Sequence, residues 1–405
     1  MLESVVIVGA GHAAGQLIIS LAQDGYGGAI TLVGDEPYPP YQRPPLSKKF
    51  LAGELELDRL YIKPASFYEK AGTQLRLGTR VDRIDRTAKA IALADGTSLP
   101  YSTLVLAIGS RPRRLALPGG GLQGVFYLRN IDDVAAIRSR FAAGKALVVV
   151  GGGYIGLELA AVAIKHRLSV TVLEMAPRLM ARGVGPVVSI FYERLHREEG
   201  VHVLTGAKVL GFDGKDAVTR VACDSGTFPA DIVVLGAGAI PNVELAQAAG
   251  LTIDDGIVID PQCRTSDPAI YAIGDCTTQH HALVDRRLRL ESVHNALEQG
   301  RVAAAAICGR PAPASQVPWF WSDQYDVKLQ IAGLSAGHDQ AIVRGEPERG
   351  RSFAVFYLSG GTLTAVDAVN RTPEFMMSKQ LIAERAKVDP AKLADERVPM
   401  RELRG

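Results

Sequence analysis

The sequence predicts an α/β protein made of two units of one design (strand, glycine turn, helix, strand) followed by a smaller α+β domain. Three observations carry that expectation. A β-branched run from Val5 to Val8 meets Gly9 and Gly11; a wholly apolar run from Ala146 to Val150 meets Gly151, Gly152 and Gly153; and past Pro318 short strands with turn residues between them replace the helical periodicity. At 405 residues, 47% hydrophobic and 22% charged, the chain can bury two or three cores, which excludes a coiled coil or a disordered tail. Its 45 Lys and Arg against 43 Asp and Glu leave a formal charge of +2, too balanced for a dedicated nucleic-acid binder.

Taken in order, Ala14, Leu17, Ile18 and Leu21 recur at helical spacing after the first glycine turn, and Gly25 ends that helix. A second strand, Ala29 to Val33, runs into Gly34, Asp35 and Glu36. Pro37, Pro39, Pro40, Pro44 and Pro45 then predict an extended, helix-free segment. In the second unit an apolar helix runs to about Ile164, with Lys165, His166 and Arg167 suited to its last turn, and a strand from Ser169 ends at Glu174. Thr103 to Ala107 and Ile232 to Leu235 are further strands. Beyond Pro318, strands are expected at Lys328 to Ile331, Gln340 to Val343, Phe353 to Leu358 and Thr362 to Val366, with a hairpin at Gly360-Gly361 and a helix from Phe375 to Ala386. The domain layout is then a first nucleotide-binding segment at 1–113, a second nucleotide-binding domain at 114–241, a return to the first at 242–318, and the α+β domain at 319–405.

The cysteines, at 223, 263, 276 and 308, have neither CxxC nor zinc spacing. The eight histidines include no HExxH, and the adjacent pair His280-His281 lies in a polar stretch read as a loop, so no metal site is expected. No apolar run approaches the ~18 residues of a membrane span. The first basic residue is Arg43, which fits neither a signal peptide nor an Arg-rich transit sequence, and the cysteine usage suits the cytoplasm.

A Gly-x-Gly-x-x-Gly/Ala turn lets backbone approach a pyrophosphate whose charge rests on the following helix N-terminus. Gly9, Gly11 and Ala14 form one copy; Gly151, Gly153 and Gly156 form the other. Each sits in a Rossmann-like dinucleotide-binding context, with an acid at the end of the next strand for ribose hydroxyls. In the first copy this is Asp35, with Glu36 as the alternative; in the second it is Glu174, 23 residues beyond Gly151, which accepts NAD and repels the 2′-phosphate of NADP. Arg178 and Arg182 follow and are read as solvated helix charges rather than as groups that soften that repulsion. Two dinucleotide sites in one chain suggest a relay from nicotinamide to flavin, because nicotinamide gives hydride and flavin can pass on single electrons.

With those motifs in place, the chain resembles the FAD-dependent pyridine nucleotide reductases of glutathione reductase fold. Within them it is similar to the NADH-dependent ferredoxin reductases of oxygenase systems, the putidaredoxin reductase-like group. The resemblance spans essentially the whole length and rests on Tyr41 to Lys48, Gly151 to Glu158, Tyr271 to Asp275, Glu291-Ser292-Val293 and Trp319 to Asp323. It implies that Arg43 and Lys48 contact FAD, with Lys48 near the reactive face of the ring and paired to Glu158 beside the nicotinamide. It also implies that Asp275 binds the ribityl chain or pyrophosphate, that Ser292 and Val293 belong to the FAD site, and that Trp321 lies close to the ring. The cation at Lys48 would favour electron-rich reduced flavin. Ser292 reads as the cap of a helix through Leu297 to about Ile307, and His294, in its first turn, is left without a role.

Disulfide reductases of this fold carry a cysteine pair, and peroxidases one cysteine, in an early flavin-facing helix, yet no cysteine here precedes 223. Thiol relay chemistry is therefore excluded, and transfer to a separate redox protein stays open. The expected acceptor is a [2Fe-2S] ferredoxin supplying a cytochrome P450 or ring-hydroxylating oxygenase, as the resemblance implies. Arg286, Arg287, Arg289 and Arg310 are the candidate basic rim for such an acidic partner. The alternatives are a rubredoxin reductase, an NADH oxidase, or a redox-switched binding protein resembling apoptosis-inducing factor.

Overall fold

A computed structural model describes residues 4–403 and divides them into two compact units, each assembled from separate stretches of chain. The first comprises residues up to Arg43, Glu56–Arg111 and Ile240–Gln316; the second comprises Pro44–Leu55, Pro112–Ala239 and the chain from Val317 onward.

The first unit is organised by a five-stranded parallel sheet in the order Ile270–Ala272, Thr103–Leu106, Ser4–Val8, Ala29–Val33, Thr73–Arg76. Its central strands are buried on both faces, so they read in sequence as continuous β-branched runs rather than alternating ones. The helix His12–Gln23 lies against the helix Val293–Ile307, and Gly300 lets them approach: a Cβ there would stand 3.0 Å from the Ala13 carbonyl oxygen. Ser292 caps the latter helix by accepting from the Asn295 N–H at 3.1 Å, and Gly309, at φ +65°, follows its end.

The second unit holds an analogous parallel sheet, in the order His202–Thr205, Ser169–Glu174, Ala146–Val150, Ile232–Leu235, Val125–Tyr127. It also holds an antiparallel sheet of Trp319–Gln324, Val327–Gly333, Thr362–Val369, Phe353–Ser359 and Gln340–Gly345. The hairpin at Gly360-Gly361 forms, both glycines having positive φ as a tight two-residue turn requires. Its neighbours Phe353, Phe356, Val366 and Val369 are wholly buried, and the helix Thr372–Ala383 covers this sheet through Phe375 and Ile382.

Three expectations are corrected. The proline segment is not helix-free, because Pro44–Ser47 forms a 3-10 turn; Pro44 and Pro45 have the fixed φ that the first positions of such a turn need. The pair His280-His281 is no loop but ends the strand Thr277–His281, which pairs antiparallel with Arg286–Leu288 across a turn where Asp285 takes a positive φ. The last long helix starts three residues earlier than Phe375, because Pro373 suits its first turn, and it stops at Ala383, since Arg385 adopts a left-handed conformation.

Candidate functional site

In the first unit, Gly9 terminates its strand at φ +103°, its N–H donating to the Val33 carbonyl at 2.8 Å. A Cβ there would fall well inside contact distance of the Ala107 carbonyl oxygen, so only glycine allows the two strands to run this close. Gly11 then serves as N-cap of the helix His12–Gln23 without any side-chain cap, and that helix has no acidic residue in its first turn. That helix start is the end that attracts anionic groups, and a Cβ on Gly11 would meet nothing within 4 Å. Ala14 is fully buried one turn in. The turn therefore fits a pyrophosphate group.

At the end of the next strand, Asp35 is exposed to solvent whereas Glu36 is engaged. The Tyr41 hydroxyl and an Arg43 Nη each donate to the Glu36 carboxylate at 2.6 Å, and a second Arg43 nitrogen donates to the Tyr41 oxygen at 2.9 Å. Asp275 follows Gly274, and Ser110 Oγ donates to it at 3.1 Å. The turn that presents Asp275 is held by Gln299, a residue the sequence did not point to. Its Oε1 accepts from the Gly274 N–H at 2.7 Å and the Thr277 hydroxyl at 3.0 Å, and Gln299 is buried. Val293 is half-buried at the helix start, and His294 is buried with its Nε2 3.1 Å from Gln316 Oε1.

In the second unit, Gly151 repeats the Gly9 arrangement at φ +111° against the Gly236 carbonyl. Gly153 caps the helix Tyr154–Lys165 without a side chain, again with open space at its Cβ position, and Gly156 packs its Cα against the Gly151 carbonyl. Both turns have the shape that a dinucleotide pyrophosphate needs. Glu174 is held in place by backbone: Oε2 accepts from the Gly152 N–H at 2.6 Å and Oε1 from the Ala176 N–H at 2.7 Å. Arg178 is spent internally on the Val184 and Ala181 carbonyls and the Ser189 hydroxyl.

Two residues past Gly156, Glu158 is only 4% exposed and takes three donors. Lys48 Nζ approaches Oε1 at 2.8 Å, Ser322 Oγ donates to Oε1 at 2.6 Å, and Ser47 Oγ donates to Oε2 at 2.5 Å. The 3-10 turn at Pro44–Ser47 sets Ser47 and Lys48 against this helix, the Lys48 ammonium also donating to the Pro44 carbonyl at 3.3 Å. Trp321 is half-buried on the strand that carries Ser322, its ring 5.4 Å from that of Trp319, while Phe320 faces the other way onto Tyr154 at 4.6 Å.

Residues 3–300 match the family described as pyridine nucleotide-disulphide oxidoreductase, and residues 319–404 match the reductase C-terminal family. The chain belongs to the pyridine nucleotide-disulphide oxidoreductases. It is 48% identical to putidaredoxin reductase of Pseudomonas putida over 99% of this chain and 96% of that one. It is 42% identical to the ferredoxin–NAD(+) reductase component of an anthranilate 1,2-dioxygenase system from Burkholderia cepacia, over 98% of each. Its structure matches putidaredoxin reductase in the crystal structure of the covalent complex with putidaredoxin at a TM-score of 0.96, covering 99% of this chain and 97% of that one. It is an oxidoreductase of the FAD- and NAD(P)H-using kind, with the α/β fold and C-terminal domain of those relatives.

Despite the family's description, the four thiols stand apart from the Lys48 region in sequence. Cys263 and Cys276 are wholly buried, and burial pushes the Cys276 thiol up to about 12, which makes it a poor nucleophile. Among the described residues no cluster of three His, Cys, Asp or Glu side chains is placed to hold a metal ion, and no helix is long and apolar enough to cross a membrane.

The expected basic rim is corrected. Arg287 pairs with Asp254 at 3.4 Å, Arg289 with Glu291 and Asp255, and Arg310 with Asp24 at 2.8 Å. Of the four, Arg286 alone is exposed with no ion pair among the described residues. Asp254, Asp255 and Asp24 come from distant segments and Glu291 from two residues beyond Arg289, so a run of arginines in sequence does not become a run of free charge.

Proposed function

We propose that the chain is an NADH-dependent ferredoxin reductase that delivers electrons to a [2Fe-2S] ferredoxin serving a cytochrome P450 or a ring-hydroxylating oxygenase. We place it in the cytoplasm on its free, largely buried cysteines. The observation that carries the reading is the ion pair between half-buried Lys48, just after the 3-10 turn, and buried Glu158, on the helix of the second glycine turn. It puts fixed charge, and no thiol, in the region where disulfide-reducing members of this fold need cysteine. FAD held there would supply an acceptor for the hydride of NADH and a donor of single electrons.

The protein's own groups divide as follows. Gly9, Gly11 and Ala14 admit the FAD pyrophosphate to the helix start at His12, Asp35, or its neighbour Glu36, serves the adenosine ribose, and Arg43, Asp275, Ser292 and Val293 complete this unit's share of the FAD site. Gly151, Gly153 and Gly156 receive the pyrophosphate of NADH. Glu174, fixed by two backbone donors, takes the ribose hydroxyls. Preference for NADH over NADPH is supported by that carboxylate and by the commitment of Arg178 to its own loop, which leaves it unavailable for a 2′-phosphate. Lys48 and Glu158 form the fixed electrostatic frame for hydride transfer.

Steady-state assays with a [2Fe-2S] ferredoxin, rubredoxin and oxygen as alternative acceptors test the reading. Turnover that depends on ferredoxin and is much slower with the other two supports it. Equal or faster turnover with rubredoxin or oxygen would replace it with a rubredoxin reductase or an oxidase. Long-lived reduced protein with every acceptor, accompanied by an NADH-dependent change of oligomeric state, would favour a redox-switched binding protein.

A further inference from the structure

Behind Glu158 runs a file of polar side chains that the reading above does not use. Ser322, which donates to Glu158 Oε1 at 2.6 Å, accepts from Gln324 Nε2 at 3.1 Å. Gln324 Oε1 lies 2.8 Å from His196 Nε2, and the Tyr325 hydroxyl lies 3.0 Å from His196 Nδ1. Ser322 and His196 are completely buried, and Gln324 is 1% exposed. Leu195, Val327 and Leu329, their near neighbours in sequence, are buried as well.

The chemistry of the groups fixes the direction of the whole file. An amide oxygen only accepts, so His196 Nε2 must carry its proton. Burial pushes the imidazole down to about 4, so the ring is neutral at physiological pH and its Nδ1 accepts. The Tyr325 phenol, pushed up by burial, stays protonated and donates. Every donor therefore points one way, from Tyr325 through His196, Gln324 and Ser322 onto the same Glu158 oxygen that Lys48 engages. Aligned donors in a low-dielectric interior polarise one another.

We propose that Ser322, Gln324 and His196 are positioning residues for NADH oxidation, a one-directional hydrogen-bond file that fixes the Glu158 carboxylate and, through it, the Lys48 ammonium. The inference rests on the assignment of Glu158 to hydride transfer made above. Oε2 has Ser47 as its donor, whereas Oε1 is shared by Lys48 and Ser322. Without the Ser322 hydroxyl, Oε1 is held by Lys48 alone, and the pair can swing about its remaining contacts. A filler of the same volume would pack this space as well, so the directed polarity, and not the bulk, is the feature that acts on Glu158.

The test measures anaerobic reduction of the FAD-loaded enzyme by NADH in Ser322→Ala, Ser322→Thr, Gln324→Met and Glu158→Gln, alongside reduction by dithionite. Losing a hydrogen bond to a charged group predicts a roughly 10-fold slower limiting rate with NADH in Ser322→Ala, at nearly unchanged apparent affinity for NADH. Gln324→Met, one bond removed from Glu158, should be about threefold slower, and Ser322→Thr, which keeps the hydroxyl, should recover to within about threefold of the parent. Dithionite reduction should not change. A merely structural file would instead lower the melting temperature and leave the NADH rate alone. That result, or a threonine variant as slow as the alanine one, overturns the proposal while leaving Glu158 in its role if Glu158→Gln is slow. A Glu158→Gln enzyme reduced at the parent rate would sink the role of Glu158, and the file with it.

Discussion

Replacing His196 with glutamine, and separately Asp367 with asparagine, should change the pH dependence of stability in opposite directions. Both residues are buried in the second unit. Burial pushes the His196 imidazole down to about 4, only partly countered by its bond to Gln324 and by Glu199. Burial likewise pushes the Asp367 carboxyl up to about 6, against the bonds it accepts from the Tyr357 hydroxyl at 2.6 Å and the Gly185 N–H at 3.4 Å. For a depressed histidine, the unfolded chain binds a proton below about 6.5 that the folded chain refuses until about 4. Its contribution is thus complete above 6.5 and falls as pH falls, by about 1.4 kcal/mol per pH unit, or about 3 kcal/mol in all. For a raised aspartate the folded chain holds a proton that the unfolded chain has lost, so stability declines as pH rises from about 4 to about 6, by a similar about 3 kcal/mol. Between pH 4 and 6 the two slopes cancel in the parent protein.

Thermal unfolding of the three proteins from pH 4 to 7.5, by calorimetry at fixed FAD saturation, shows whether they do. Relative to the parent, His196→Gln should gain melting temperature as pH drops below 6.5, and Asp367→Asn should gain it as pH rises toward 6. Each change should approach about 6–12 °C over its window, at about 2–4 °C per kcal/mol for a unit of this size. Variant curves that run parallel to the parent's would refute the reasoning, because they would mean that neither group is held away from its ordinary protonation by the fold.

Further outcomes follow from the glycine turns and their supports. Gly151→Ala should fail to accumulate as folded enzyme, since its Cβ would collide with the Gly236 carbonyl at a positive φ; Gly153→Ala, with open space at its Cβ, should fold normally but raise the apparent KM for NADH about 10-fold, read from initial rates. Gln299→Leu leaves the buried Gly274 N–H without its acceptor, whereas the Thr277 hydroxyl keeps the Gly274 carbonyl at 2.9 Å, and should cost about 1–3 kcal/mol, visible as lower thermal stability and faster FAD loss in dilution assays. Glu174→Ser removes the carboxylate that disfavours a 2′-phosphate and should narrow the NADH to NADPH preference, measured as the ratio of kcat/KM values.

The local parts of this architecture are legible in the sequence because parallel strands buried on both faces leave uninterrupted apolar runs. Ser4–Val8, Ala146–Val150 and Ile232–Leu235 all form where those runs stand. Glycine turns are equally local, since Gly9 and Gly151 are forced by the carbonyl that passes them. What periodicity does not carry is partnership between distant segments. Ser322 and Gln324 occupy alternate positions on one face of their strand, which marks them as inward polar residues, but nothing near them points to Glu158 or His196. The arginines at 287, 289 and 310 mislead for the same reason, because Asp254, Asp255 and Asp24 arrive from elsewhere in the chain. His280 and His281 carry no hydrophobic alternation, and only pairing with Arg286 and Arg287 makes them a strand.

On the proposed function, electrons leave this enzyme one at a time for a ferredoxin. The most direct measurement reduces the FAD-loaded protein anaerobically with one equivalent of NADH, then mixes it in a stopped-flow instrument with an oxidised [2Fe-2S] ferredoxin or with oxygenated buffer while flavin absorbance is followed. The account predicts rapid reoxidation by ferredoxin, with cluster bleaching at the same rate, and slow reoxidation by oxygen. Rapid reoxidation by oxygen with an inert ferredoxin would contradict it.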